Sequence, residues 1–133
     1  MKNLNFISLF CLIAFASCQS KSPVFSGEKA FDYLIKQCEF GPRDPGSAGH
    51  KKTLEYYLST FKNLADTVFT QSFSDKMPRT GAEVSMNNVI ARFNAGSPRQ
   101  IMISAHWDTR PWAENSNSIM RKNSPIIGAN DGA

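Results

Sequence analysis

A short apolar run near the end of the chain, Ile101-Met102-Ile103, constrains the fold more than any other feature of the sequence. Residues 94–98 before it combine Asn, Gly, Ser and Pro and predict a turn. A continuous apolar run after a turn is typical of a strand with both faces buried, which needs structure packed on each side. We therefore predict a strand over residues 100–105 in the interior of an α/β sandwich.

Two helices are predicted earlier in the chain, where apolar residues recur at the spacing of one helix face. The first follows its N-cap, Ser26, and ends at Gly41-Pro42. Its apolar positions are Phe31, Leu34, Ile35 and Cys38. The second begins at Ser47 or His50 and ends near residue 63; its apolar positions are Leu54, Tyr57, Leu58 and Phe61. We expect Cys38 to be a buried structural thiol and His50 to lie at the surface.

Two further strands are predicted between the helices and the apolar run. Residues 67–73 and 88–93 are rich in side chains that favour strands, and the polar residues 74–81 predict the connection between them. The residues that follow Asp108 include prolines and several asparagines and predict a long loop. Loops of this length in a compact domain are usually functional or disordered.

The N-terminus has the pattern of an export signal. Lys2 precedes an apolar stretch over residues 6–15, which is too short for a membrane span of about 20 residues. Phe15-Ala16-Ser17-Cys18 resembles the lipobox of bacterial lipoproteins, although Phe replaces the commoner Leu. We expect a signal peptide at 1–17, lipid on Cys18, a polar tether at 18–25 and a domain at 26–133, anchored to the membrane in the periplasm or at the cell surface. The alternative is an ordinary signal peptide with a chance Cys.

The charge pattern argues against a nucleic-acid partner. The 133 residues are 41% hydrophobic, enough for one modest domain, and 15 basic and 11 acidic side chains give a net charge of +4. These charges are interspersed along the chain and form no basic stripe.

The polar residues directly after the apolar run have the chemistry of a metal site. His106 would stand at the end of a rigid strand, and the carboxylate of Asp108 would lie on the same side, where it could hold the imidazole ring. Asp131 follows later among small residues, in Gly128-Ala129-Asn130-Asp131-Gly132-Ala133. Each motif taken alone is weak, because a surface His beside an acid and a tight turn are both common.

Together, these motifs resemble the zinc exopeptidase family of bacterial leucyl-type aminopeptidases and animal-type glutaminyl cyclases. The likeness extends over residues 25–133 and is greatest to the bacterial glutaminyl cyclase branch. Residues 105–112, 128–133 and 40–47 carry it, together with the Asn87-Asn88-Val89-Ile90 strand. The resemblance implies a three-layer α/β/α sandwich with a mixed central sheet, of which this chain is the N-terminal portion.

The resemblance also implies roles for individual residues. Asp131 would bind zinc in both the aminopeptidases and the cyclases. His106 would be a ligand in the two-zinc aminopeptidases but not in the one-zinc cyclases, and Asp108 would orient it. Trp107 and Trp112 could line a substrate pocket or pack in the core or rim. For Arg43 and Arg110 we expect structural salt bridges with Asp44 or Asp108, and contact with substrate is the alternative.

The resemblance implies that the complete protein is a glutaminyl-peptide cyclotransferase that converts N-terminal glutamine of peptides or proteins to pyroglutamate. The alternatives are a zinc aminopeptidase and a non-catalytic lipoprotein that binds a partner. The catalytic Glu and the other ligands of the family would follow Ala133. We therefore expect the 133 residues to be inactive alone, as a fragment or a truncated gene product.

Overall fold

The structure, a computed structural model, describes residues 24–77, 80–113 and 116–129. Within these ranges the chain forms two α-helices, an antiparallel pair of strands and a short 3-10 helix, in that order. None of the helices described is long and apolar enough to cross a membrane. The predicted signal peptide, Cys18 and Asp131 lie outside the described residues.

The first helix, α1, spans Gly27–Glu39 and has the predicted cap. Ser26 Oγ accepts a hydrogen bond from the Lys29 amide at 3.3 Å. Gly41 stops the helix because it adopts a φ of +84°, which favours glycine. The predicted apolar face is only partly covered: Phe31 is 60% exposed, and Cys38, expected to be buried, is half-buried. Helical spacing identified the face, but no described element packs over all of it.

The second helix, α2, spans Ala48–Leu64, and Ser47 is its N-cap. Ser47 Oγ accepts from the His50 amide and donates to the Pro42 carbonyl, both at 3.0 Å. The cap therefore fixes the first turn of α2 against the preceding loop, residues 41–47, which we call the arginine loop. Gln37 of α1 accepts a hydrogen bond from the Tyr57 hydroxyl and so joins the two helices.

The two strands are longer than predicted. Strand β1 spans Thr67–Lys76 and β2 spans Glu83–Arg92; they pair antiparallel, with Thr67 opposite Arg92 and Lys76 opposite Glu83. The polar residues 74–76, predicted to belong to the connection, continue the ladder. Their polar side chains suggest a connection rather than a strand. They can lie in a strand because both faces of that end of β1 are exposed, so its side chains need not be apolar. Helix α2 packs against both strands.

The predicted strand over residues 100–105 is wrong. This segment makes no strand ladder, and Ile101, Met102 and Ile103 are 91%, 90% and 92% exposed. It runs beside β2 across a groove of about 780 Å³. An apolar run indicates that a segment tends to be buried, but a strand also needs an adjacent strand whose backbone hydrogen-bonds to it. No part of the described chain supplies that neighbour or covers the run.

The long loop after Asp108 is confirmed. Its described residues form turns and one 3-10 helix, Ile119–Arg121. Its two arms meet where the Ala113 amide donates to the Ser124 carbonyl at 3.1 Å. The loop therefore leaves and returns to nearly the same place before the chain reaches residues 127 and 128.

The most buried side chains are polar. No apolar side chain of the described residues is buried, whereas five polar ones are: Gln37, Arg43, His50, Thr53 and Thr109. Three of them, Arg43, His50 and Thr109, lie where the arginine loop and the start of α2 meet residues 106–109. This junction positions the candidate site.

Gly49 tests the junction, because its Cα faces the arginine loop. A Cβ built there would overlap the carbonyl oxygen of Pro42 and lie 2.9 Å from that of Phe40. We expect Gly49→Ala to lower the free energy of unfolding by about 2 kcal/mol or more, since backbone atoms must move to admit the methyl group. Gly96→Ala is the matched control, because nothing lies within 4 Å of its Cβ. Urea unfolding of both variants measures the difference; equal stabilities would contradict the close approach.

Candidate functional site

Arg43 is the centre of the junction. Its side chain is 0% exposed. Nε donates to the Trp107 carbonyl at 2.9 Å, Nη1 to the Ile127 carbonyl at 2.9 Å and Nη2 to the Gly128 carbonyl at 2.8 Å. Sequence analysis expected a salt bridge for Arg43 and did not anticipate these carbonyl contacts. The guanidinium joins the arginine loop to two segments that are distant in sequence.

The backbone of Arg43 makes a second set of contacts with the same region. Its amide donates to Thr109 Oγ1 at 2.9 Å, and the Thr109 amide donates to the Arg43 carbonyl at 3.3 Å. Thr109 is 3% exposed, so these bonds are shielded from water. Residues 107–109 are thus held by both the backbone and the side chain of one arginine.

His106 and Asp108 lie on the exposed side of this segment. The His106 Nδ1 atom is 3.2 Å from the Asp108 carbonyl oxygen and 3.4 Å from its carboxylate Oδ1. Both neighbours can only accept a hydrogen bond, which favours the tautomer with the proton on Nδ1 and the lone pair on Nε2. A carboxylate in this position orients a metal-binding imidazole in many zinc sites. The imidazole and the carboxylate are therefore close together, while the roles of both residues toward a metal stay predictions.

Trp107 points the other way, as alternation along an extended segment requires. Its indole N–H donates to the Asn87 carbonyl of β2 at 3.2 Å. Its ring stacks on His50, with centroids 4.4 Å apart, and meets the edge of Tyr57 at 5.6 Å. Trp107 also lines a cavity of about 400 Å³ between the helices and residues 103–107. Trp107 therefore packs against neighbouring rings and also lines a cavity. Trp112 is half-buried in the following loop.

His50 corrects the sequence analysis, which expected a surface residue. It is 4% exposed, because its ring stacks on that of Trp107. Burial lowers the pKa of His50, and the carboxylates of Asp108 and Asp44 oppose that shift only in part. The sequence carried one signal for this contact: His50 lies three positions after Ser47, one of the two predicted starts of the helix, where a side chain can face back across the loop.

The described residues have the donor chemistry of a zinc site but do not complete one. An imidazole with a carboxylate behind it is an arrangement zinc uses. Among residues 24–77, 80–113 and 116–129, however, no three His, Cys, Asp or Glu side chains lie close enough to hold a metal ion. The predicted ligand Asp131 lies outside these ranges, three positions after the Gly128 carbonyl that Arg43 holds.

Comparison with known sequences agrees with this geometry. Residues 88–133, which include His106, Asp108 and Asp131, match the model of peptidase family M28. The chain is 30% identical over 69 residues to a glutaminyl-peptide cyclotransferase from Drosophila melanogaster, which covers 52% of this chain and 19% of that protein.

Solved structures with the same fold cover 83% of the chain. A leucine aminopeptidase precursor from Bacteroides thetaiotaomicron is 34% identical with a TM-score of 0.75. A glutaminyl cyclase from the same organism, bound to N-acetylhistamine, is 33% identical with a TM-score of 0.76. A Zn-dependent exopeptidase from Parabacteroides distasonis is 30% identical with a TM-score of 0.77. The chain spans 38%, 37% and 37% of these proteins. The resemblance to the zinc exopeptidases and the predicted α/β fold class are confirmed.

The buried His50 predicts a pH dependence of stability. Because its pKa is lowered in the folded protein, the unfolded chain binds more protons as pH falls below the ordinary histidine pKa of 6.5. The stability from neutral His50 is therefore fully present above that pH and is lost as pH falls toward the folded value. His50→Phe keeps a ring against Trp107 but cannot titrate.

We expect wild type to lose more unfolding free energy than His50→Phe when urea unfolding is measured from pH 8 down to about pH 5. The variant serves as the control for every other group that titrates in this range. Parallel stability curves for the two proteins would show that His50 is not buried against Trp107.

Proposed function

We propose that the complete protein is a zinc-dependent glutaminyl-peptide cyclotransferase that acts on peptides or proteins with N-terminal glutamine. The observation that carries the proposal is the fold match, at 33% identity, to a bacterial glutaminyl cyclase over 83% of this chain. Glutaminyl cyclases from Porphyromonas gingivalis and Tannerella forsythia match over similar shares of the chain. The His106-Trp107-Asp108 segment and Asp131 fall inside the region that matches the family.

The reaction closes a ring within the substrate. The α-amino nitrogen of the N-terminal glutamine attacks its own side-chain amide carbon, a C–N bond forms, and the amide nitrogen leaves as ammonia. A proton must move from the attacking amine to the departing nitrogen. When bound, zinc supplies Lewis-acid polarisation of the amide carbonyl. The residue that moves the proton is a downstream Glu according to the resemblance.

Residues of this chain would serve the site in three ways. Asp131 would hold the zinc, and Asp108 would keep the His106 ring in one tautomer and orientation. Trp107 is fixed by its contacts with Asn87, His50 and Tyr57, and it would keep the backbone between His106 and Asp108 rigid. Rigidity matters because a small misplacement of reacting groups costs much of the rate.

A zinc aminopeptidase is the second candidate. The 34% identity to a leucine aminopeptidase precursor and the likeness to a Zn-dependent exopeptidase favour it. In this case His106 and Asp131 would both be ligands of a pair of zinc ions. The two candidates differ in the product they release and in the number of ions they bind.

The test is to incubate the purified complete protein with a Gln-initiated peptide and a Leu-initiated peptide of the same length. We expect pyroglutamyl peptide and ammonia from the first, no reaction of the second, and one zinc per chain by elemental analysis. Free glutamine or leucine, together with two zincs per chain, would overturn the cyclase proposal in favour of the aminopeptidase.

Two variants sharpen the same assay. Asp131→Asn should lose zinc and activity together under either candidate. His106→Gln should keep its single zinc ion in a one-zinc cyclase. In an aminopeptidase it should lose one of the two ions. A peptide with an acetylated N-terminus is the substrate control, since it has no amine to attack the amide.

We also propose that the mature protein begins at a lipid-modified Cys18. Phe15-Ala16-Ser17-Cys18 and the apolar residues 6–15 support this proposal. In the native host, the protein should fractionate with membranes, and intact-mass analysis should show a diacylglycerol adduct at Cys18. Cys18→Ser should be released from the membrane, whereas Cys11→Ser, which changes a cysteine inside the signal, should behave as wild type. An unmodified mature N-terminus in the wild type would contradict the anchor.

A further inference from the structure

We infer that the tip of the long loop, residues 117–123, is a docking surface for a membrane that carries anionic lipids. The inference rests on the proposed anchor at Cys18, which would hold the domain beside a bilayer. It does not involve the candidate zinc site. Contact of the loop tip with lipid can be measured in protein that lacks the anchor, so the two proposals can fail separately.

The loop tip presents two large apolar side chains to solvent. Every residue from 117 to 123 is exposed, and Ile119 and Met120 are 85% and 91% exposed. Single exposed apolar residues are common on protein surfaces and need no explanation. Two adjacent ones at the end of a loop, which none of the described residues covers, would recover hydrophobic free energy on contact with an apolar phase.

Two basic side chains, Arg121 and Lys122, directly follow this apolar pair. The sequence has no acidic residue between Glu114 and Asp131, so the loop tip has two basic and no acidic side chains, a net charge of +2. A bilayer with anionic lipids offers negative headgroups at its surface and an apolar interior just beneath them. The loop tip has the side chains that complement both layers.

An acidic peptide fits the loop tip less well than a bilayer does. Its carboxylates would pair with Arg121 and Lys122 but would leave Ile119 and Met120 in water. Only a partner that is both anionic and apolar uses all four side chains, and a lipid surface has both properties.

Local hydrogen bonds organise the backbone of the loop tip. The Arg121 amide donates to the Ser118 carbonyl at 3.0 Å and the Ser124 amide donates to the Arg121 carbonyl at 2.9 Å, which gives a 3-10 turn. Side chains three positions apart in such a turn lie one above the other, so Lys122, whose backbone stays helical, lies on the side of Ile119. A lysine can extend its apolar stem beside such a neighbour while its ammonium group reaches the headgroups.

A second basic pair in the chain provides the matched control. Lys51 and Lys52 are both exposed on α2, but the residues on either side of them, His50 and Thr53, are buried. This pair therefore has the charge of the loop tip without adjacent exposed apolar side chains.

The experiment measures co-sedimentation of the complete protein, made from Gln19 onward without signal or lipid, with unilamellar vesicles. Vesicles of phosphatidylcholine alone are compared with vesicles in which about a third of the lipid is anionic phosphatidylglycerol, at low and high salt. The proteins are the wild type and three double variants: Arg121→Gln with Lys122→Gln, Ile119→Ser with Met120→Ser, and the control, Lys51→Gln with Lys52→Gln. All six replaced side chains are exposed, so we expect every variant to fold.

We expect the wild type to bind the anionic vesicles, to bind the neutral ones far more weakly, and to be released by salt. Loss of Arg121 and Lys122 should weaken binding on the order of 30-fold, as expected for two charges at an anionic surface. Loss of Ile119 and Met120 should weaken it about 10-fold or more, because apolar burial no longer contributes. The control should stay within about threefold of the wild type, since charges away from the docked surface are screened.

The inference would be overturned by a wild type that does not bind anionic vesicles, or by a control that loses as much binding as the loop-tip variants. Binding that needs the basic pair but is unchanged in Ile119→Ser with Met120→Ser would also overturn it, and would point to an acidic peptide as the partner. An unmodified N-terminus in the native host, together with vesicle binding as expected here, would overturn the anchor and leave the docking surface standing.

Discussion

The described part of the chain depends on one buried cation. The guanidinium of Arg43 replaces its hydration shell with carbonyl oxygens from Trp107, Ile127 and Gly128. Losing one such partner would leave a buried polar group unsatisfied, at a cost of about 1–3 kcal/mol or more where a charge is involved. Three loops that share no ladder or helix are therefore tied through one side chain, and their relative positions are set by its planar geometry.

Among the described residues, the buried set is polar rather than apolar. Ordinary domains are organised by an apolar core, but here Ile101, Met102 and Ile103 stay exposed while Arg43, His50 and Thr109 are buried. Hydrogen bonds are directional, so a polar junction fixes orientation more strictly than an apolar one of the same size. Strict orientation is what the proposed site, whose residues are distant in the sequence, would require.

Sequence patterns predicted the local elements well. Ser26 and Ser47 are short-range caps, and helical spacing depends only on neighbours along the chain, so both helices could be recognised. The predictions failed where contacts between residues distant in the sequence determine the structure. The apolar run at Ile101 forms a strand only if another strand pairs with it, and a polar residue such as His50 lies at the surface only if no other ring covers it, whereas Trp107 stacks on His50.

The candidate site divides in the same way. The donor types at His106, Asp108 and Asp131 could be proposed from residue chemistry and resemblance, because zinc ligands form a short list of side chains. The support for the site could not, since Arg43 reaches residues up to 85 positions away and carries no local signature of doing so. The carbonyl contacts of Arg43 explain the composition of the arginine loop, because its Gly and Pro residues bring Arg43 to the junction.

The most direct measurement is a crystal structure of the complete protein, grown with zinc and recorded at the zinc absorption edge. The account predicts an anomalous peak about 2.0–2.2 Å from the Asp131 carboxylate, with the Arg43 guanidinium donating to the carbonyls of Trp107, Ile127 and Gly128. A peak remote from Asp131, or an Arg43 side chain that faces solvent, would contradict it.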